Sequence, residues 1–211
     1  MSGIEAVISD FGGVLTSPLL NTFKAFEEAS GVSLEALGIA MAAIAQERGA
    51  NPLYELETGR MSEAEFLASL GAGLSTQLGR EIRLRGFGER YFDHLEPNHD
   101  MIEFMQELRG EGYKLAICTN NVREWEPLWR AMLPVDEIFD VVVDSAFVGA
   151  RKPEPEIYEL TLARLDVAAP VALLIDDIEL NCKAAEELGI RSVWFRHTEQ
   201  AIDDARAALA R

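Results

Sequence analysis

Residues 4–15, IEAVISDFGGVL, decide how the rest of the chain is read. Residues 4–8 are mostly apolar, and their Val and Ile suit a pleated, buried strand. One carboxylate, Asp10, follows, and Gly12 and Gly13 then mark a sharp change of backbone direction. Asp10 is therefore expected at the carboxyl end of a strand, at the lip of a sheet. In open α/β sheets that edge is where ligands bind. The function of the chain then depends on which other chemical groups reach the same edge.

Working outward, further apolar runs predict strands over residues 113–118, 140–143, 171–175 and 191–195. Helical periodicity falls between and after them, over 101–109, 123–132, 155–165, 179–188 and 198–210. Strands alternating with helices imply parallel βαβ units, so the expected class is α/β, a three-layer doubly wound parallel sheet. Residues 18–95 break that rhythm. Leu19, Leu20, Phe23 and Phe26 have helical spacing, Ser33 can cap a helix over 34–48, and a short helical piece covers 53–58. Ser62 and Glu65 form a capping box for a helix over 63–70, and 78–94 reads as helix broken near Gly86 and Gly88. This block is too long for a crossover and reads as an inserted all-helical cap. Residues 1–17 and 96–211 form the core.

Composition narrows the function. The chain has 211 residues and a formal net charge of −17, which argues against nucleic-acid binding and against attraction to an anionic membrane. No apolar run approaches the roughly 20 residues of a membrane span. The first residues lack the basic start and cleavage site of a signal peptide, so a cytoplasmic location is expected. Cys118 and Cys182 make neither a disulfide framework nor a zinc-ligand spacing, and Cys118 reads as a buried small hydrophobe. His94, His99 and His197 lie away from strand ends and read as surface residues; Trp125, Trp129 and Trp194 read as packing. The expected oligomeric state is monomer or homodimer.

Polar residues close several of these strands. Asp10 ends the first, Thr119 and Asn120 the second, Asp176 and Asp177 the fourth, and Lys152 lies in the loop after the third. Taken singly, each has an ordinary role as turn, helix cap or solvated loop. Taken together, chain order, strand-end position and charge complementarity agree. Carboxylates at close range raise one another's pKa unless a cation sits among them, and hard oxygen ligands suit Mg²⁺. Carboxylates, Mg²⁺, a lysine and a hydroxyl donor describe a site for phosphoryl transfer.

These segments resemble the haloacid dehalogenase-like (HAD) hydrolase superfamily. Its first motif, hhhDxDxh, corresponds to VISDFGGVL, and its second, a strand ending in Ser or Thr, to LAICTNN. The lysine motif corresponds to GARKPEPEIYEL and the paired acids to LLIDDIELNCKAAEELGI. The layout is most similar to the branch with a helical cap after the first motif, which includes sugar-phosphate phosphatases and the phosphatase domain of soluble epoxide hydrolase. The resemblance implies a HAD-like Rossmannoid core and a Mg²⁺-dependent phosphatase of a small phosphorylated metabolite. It implies Asp10 as nucleophile, with Thr119 and Lys152 also catalytic. Thr119, Asn120 and Lys152 would bind the phosphoryl group; Asp10, the Gly12 carbonyl, Asp176 and Asp177 would bind the metal.

One position departs from the pattern. The family's phosphatases usually carry a second Asp two residues after the nucleophile, as general acid and base, and here that residue is Gly12. A missing general acid costs about 10²–10⁴-fold in rate, so good leaving groups are expected. The alternatives are a 2-haloacid dehalogenase, which also lacks the second Asp, and a non-catalytic phospho-ligand binding protein. The paired acids at 176 and 177 weigh against the dehalogenase. In the cap, Arg48, Tyr54, Glu57 and Arg60 lie near turns that could face the core, as substrate contacts, as surface residues or as cap-to-core salt links.

Overall fold

The strand that carries Asp10 lies in the middle of a five-stranded sheet. The computed structural model describes residues 3–84 and 86–210, except for the side chains at 19–21, 23, 25 and 29. Strand β1 (Ala6–Ser9) pairs on one side with β2 (Lys114–Thr119) and on the other with β4 (Ala172–Asp176). Strands β3 (Val141–Asp144) and β5 (Arg191–Trp194) flank them, giving the order β3-β2-β1-β4-β5 with every pairing parallel. This is the doubly wound sheet expected from the alternating pattern. The strand order reverses beside β1, which places Asp10 at the switch point.

The strands alternate between two buried faces. Val7, Leu115, Ile117, Leu173 and Ile175 pack with Met101, Met105 and Leu108 of α6 (His99–Gly110) and Ala201 and Ala205 of α12 (Thr198–Leu209). Ala6, Ile8, Ala116, Cys118, Ala172 and Leu174 pack with Ile157, Tyr158 and Leu165 of α10 (Pro155–Leu165) and Ala185 of α11 (Glu179–Glu187). Helices thus cover both faces, as near-continuous apolar parallel strands require.

Between β1 and α6 the chain runs through α1 (Leu19–Ser30), α2 (Leu34–Arg48), α3 (Pro52–Glu57), α4 (Glu63–Leu78) and α5 (Phe87–Phe92). Among the described residues of 18–95 there is no strand, although Thr16 makes an isolated antiparallel bridge to Pro97 at the neck of the insert. Val32, Ala36, Ala40, Ile44, Phe66, Leu70 and Leu74 build a separate apolar cluster there. Leu19, Leu20 and Phe23, read from their helical spacing, fall in α1, and their side chains lie outside the described ones.

The Ser62–Glu65 capping box is present, but the helix it opens runs to Leu78 rather than stopping near 70. Gly71 and Gly73 both lie inside it. A Cβ on Gly71 would come within 3.1 Å of the Ile82 carbonyl oxygen, and one on Gly73 would meet Ala40 and Ile44 of α2. Residues 78–94 are correspondingly not one broken helix, because Gly79 ends α4 in the left-handed conformation and helix resumes at Phe87. The helix expected over 123–132 is a 3₁₀ turn, Arg123–Trp125, followed by α7 (Glu126–Arg130), and two short helices, α8 (Val135–Ile138) and α9 (Ser145–Val148), flank β3.

Candidate active site

The carboxyl ends of β1, β2 and β4 bring the motif residues together. Asp10 follows β1 directly, and its N–H donates to the Ile175 carbonyl (2.9 Å), so it is held as an extension of the sheet. Thr119 closes β2 and Asp176 closes β4, both buried. Carboxylate oxygens of Asp10, Asp176 and Asp177 lie within 4.8 Å of one another. Lys152 reaches into this cluster, with Nζ 2.7 Å from Asp10 Oδ1 and 2.6 Å from Asp176 Oδ2.

The environment raises the carboxyl groups. Burial pushes Asp10 up to about 7, against the pull of the Lys152 ammonium and with help from the charges of Asp176 and Asp177. Burial, then Asp176, pushes Asp177 up to about 6. Burial by itself disfavours a charged Lys152, but Asp10 and Asp176 hold its ammonium well above the ordinary lysine range. Three acids at such range make a site that gains from a further cation. The donor set, hard oxygens at a sheet edge, suits Mg²⁺.

The two paired acids differ in their surroundings. Asp176 Oδ1 accepts from the Ile178 N–H and from Asn181 Nδ2, both at 2.9 Å, while Oδ2 accepts from Lys152. Asp177 instead lies against the turn after Asp10. Gly13 has φ +84°, and a Cβ there would overlap the Asp177 carboxylate. Gly13 is thus required twice, for the turn and for the approach of Asp177. Asn120 sits beside the cluster, but its amide is engaged elsewhere: Nδ2 donates to the Lys152 carbonyl (2.9 Å) and Oδ1 accepts from the Lys152 N–H (2.7 Å).

The insert supplies part of the surroundings. Tyr91 of α5 is buried and stacks on Trp125 with centroids 4.9 Å apart. Burial raises its hydroxyl pKa, and the charges of Asp10, Asp177 and Glu57 raise it further. Arg151 Nε donates to Glu57 Oε2 at 2.7 Å and its guanidinium lies 3.8 Å over the Tyr54 ring. Arg48 pairs instead with Glu55 on the insert's own surface.

Trp194, Asn181 and Asp144 stand outside the sequence candidates for the site. Trp194 is not pure packing: it is 43% exposed and its Nε1–H donates to the Asp177 carbonyl (3.0 Å). Asn181 is a first-turn residue of α11 without a motif of its own. Asp144 closes β3 next to Thr119 in register, is buried, and is pushed up to about 6 by burial. Its Oδ1 accepts from the Ala146 N–H, while Oδ2 lies near the Trp129 indole without a geometrically satisfactory hydrogen bond. A carboxylate closing an apolar run singles out Asp10, and the same signal stands in DVVVD.

Comparison with known proteins bears on this arrangement. The family model described as haloacid dehalogenase-like hydrolase matches residues 4–189. A sesquiterpene phosphatase of Aspergillus oryzae, astK, is 28% identical over 195 residues, 88% of this chain and 87% of that protein. Acyl-CoA dehydrogenase family member 10 of Mus musculus is 28% identical over 97% of this chain, which spans 19% of that protein's length. Several other curated relatives are likewise more than twice the length that the match covers. Among solved structures, the HAD family enzyme BT-2542 of Bacteroides thetaiotaomicron, a magnesium complex, superposes with TM-score 0.66 at 23% identity, over 91% of this chain and 93% of that one. A dehalogenase superposes with TM-score 0.69 at 18% identity, over 100% and 99%. Likeness at that level of identity establishes the shared fold.

Proposed function

The chain belongs to the haloacid dehalogenase-like hydrolase family, and from that premise we propose that it is a Mg²⁺-dependent phosphatase of a small phosphorylated metabolite. The observation that carries the reading is Lys152 set between Asp10 and Asp176 with Asp177 beside them. A dehalogenase attacking carbon has no use for three carboxylates around one lysine, whereas a phosphoryl group and a divalent cation together need both signs of charge. The phosphatase relative of similar length supports the same reading.

In this reading an Asp10 carboxylate oxygen attacks phosphorus, the bond from phosphorus to the ester oxygen breaks, and an aspartyl-phosphate forms on Asp10. Water then hydrolyses it, returning the carboxylate and inorganic phosphate. Lys152 pulls against the burial that favours a protonated Asp10, and its ammonium offsets phosphoryl charge. Thr119 presents its hydroxyl to the phosphoryl oxygens. Asn120 is assigned to bracing the Lys152 backbone, since both ends of its amide are engaged there.

Asp10, Asp177 and the Gly12 carbonyl would hold the Mg²⁺. Asp176 already accepts three hydrogen bonds, which favours contact through water. Bound there, the ion supplies positive charge that lowers the carboxylates' proton affinity and stabilises phosphoryl charge. Residues 18–95 act as the cap domain that closes over the substrate. With Gly12 in place of a general acid, the leaving oxygen departs with little protonation, and esters with good leaving groups are favoured.

The test is a phosphate-ester panel assayed with and without Mg²⁺. Hydrolysis should need the ion, should disappear in Asp10→Asn, and should favour anomeric and aryl phosphates over alkyl phosphates. Chloride release from a 2-chloroacid in EDTA, with no ester cleaved, would overturn the reading.

A further inference from the structure

Lys152 is anchored through its neighbours. On one side its own N–H and C=O are clasped by the Asn120 side chain at the end of β2. On the other, Arg151 leaves the core and reaches Glu57, the last residue of α3 in the insert. Nε lies 2.7 Å from Oε2, and the side chains are 11% and 15% exposed. The guanidinium also lies over the Tyr54 ring at 3.8 Å. Burial raises the Glu57 pKa against the pull of Arg151, and the Lys152 charge reaches it as well. The pair joins residues 94 apart in the chain, across the boundary between insert and core.

We propose that the Glu57–Arg151 pair is a positioning latch, by which seating helix α3 on the core fixes the backbone under Lys152 and so holds its ammonium between Asp10 and Asp176. The catalytic consequence rests on the reading of Lys152 given above; the positional one does not. A lysine ammonium sits on a flexible four-carbon stem, so its placement depends on where the backbone is held. Breaking one partner of a largely buried ion pair leaves the other uncompensated. A guanidinium without Glu57 would turn toward water and move the adjoining peptide with it.

The experiment is a short pulse of acetic anhydride on the full chain without metal, with each lysine's modification rate mapped by mass spectrometry. Lys114 is the internal control, because its Nζ donates to the Leu165 and Asp166 carbonyls at the opposite end of β2. Glu57→Gln and Arg151→Gln should each raise the Lys152 rate at least tenfold and leave the Lys114 rate unchanged, and the double variant should be no faster than either. An unchanged Lys152 rate in both single variants, or a parallel rise at Lys114, overturns the latch. In parallel, each variant should lower kcat on p-nitrophenyl phosphate with Mg²⁺ at least tenfold while KM stays within threefold. A wild-type protein that cleaves no ester, with Lys152 unmasked in the variants, overturns the phosphatase reading and leaves the latch standing.

Discussion

The Lys152 ammonium lies 2.7 Å from the Asp10 carboxylate, and the lysine side chain is 1% exposed. Removing that charge leaves Asp10 and Asp176 buried and facing each other. Lys152→Met should therefore destabilise the fold by about 3–5 kcal/mol at pH 8, and abolish any ester hydrolysis. At pH 5 the orphaned Asp10 carboxylate takes up a proton, so the loss should shrink. Urea denaturation at the two pH values measures it, and an equal loss at both would count against the assignment.

Asp10 and Asp177 are pushed up to about 7 and about 6, above their ordinary value of 3.8. A carboxyl raised on folding binds protons more tightly in the native state. Its contribution to stability is complete below about pH 3.8 and is lost as the pH climbs through 6 to 7. A cation can replace those protons. Saturating Mg²⁺ should raise the Tm by about 3–6 °C at pH 8 and hardly at pH 5, and Asp177→Ala should remove the shift. Thermal scans with and without the ion test this, and a pH-independent shift would place the ion elsewhere.

Gly13, with φ +84° and its missing Cβ facing the Asp177 carboxylate, ties the turn to the acid cluster. Gly13→Ala should cost about 1–2 kcal/mol in backbone strain. By displacing Asp177 it should also raise the Mg²⁺ concentration for half-maximal activity by about 10–100-fold. A Mg²⁺ titration of the variant reads this separately from its melting temperature.

Gly12 is half-buried and does not share the left-handed conformation of Gly13, so a side chain there is not barred by the backbone. Gly12→Asp would restore a carboxyl two residues after Asp10. It should raise the rate on alkyl phosphates by up to about 10²-fold and change that on p-nitrophenyl phosphate little, because that leaving group needs no proton. A comparison of the two substrates in wild type and variant decides it. Equal effects on both would show that protonation of the leaving group is not what the chain lacks.

Much of the core was legible because its signals are local. Residues 4–15 show their strand by composition and their turn by two glycines, and Ala6–Ser9 followed by Asp10 bears this out. Other features depend on neighbours that no window contains. Gly71 lies inside α4, where a Cβ would crowd the carbonyl oxygen of Ile82. Asn120 has the chemistry of a phosphate ligand, and its amide is taken by a backbone 32 residues away. Trp194 looks like core and is instead a donor to the Asp177 carbonyl.

By itself the sequence determined the class of sheet, the helical character of the insert, and the residue types at the strand ends. Strand periodicity, capping residues and glycine punctuation act over a few residues, and parallel strands necessarily present their carboxyl ends on one edge. The tertiary structure decided how those groups divide the work. It set Lys152 between Asp10 and Asp176, engaged Asp176 with three donors while laying Asp177 against Gly13, and bound Arg151 to Glu57 across the chain. Which carboxylate meets which donor depends on distances of a few ångströms between distant segments, and burial then sets the strength of each charge.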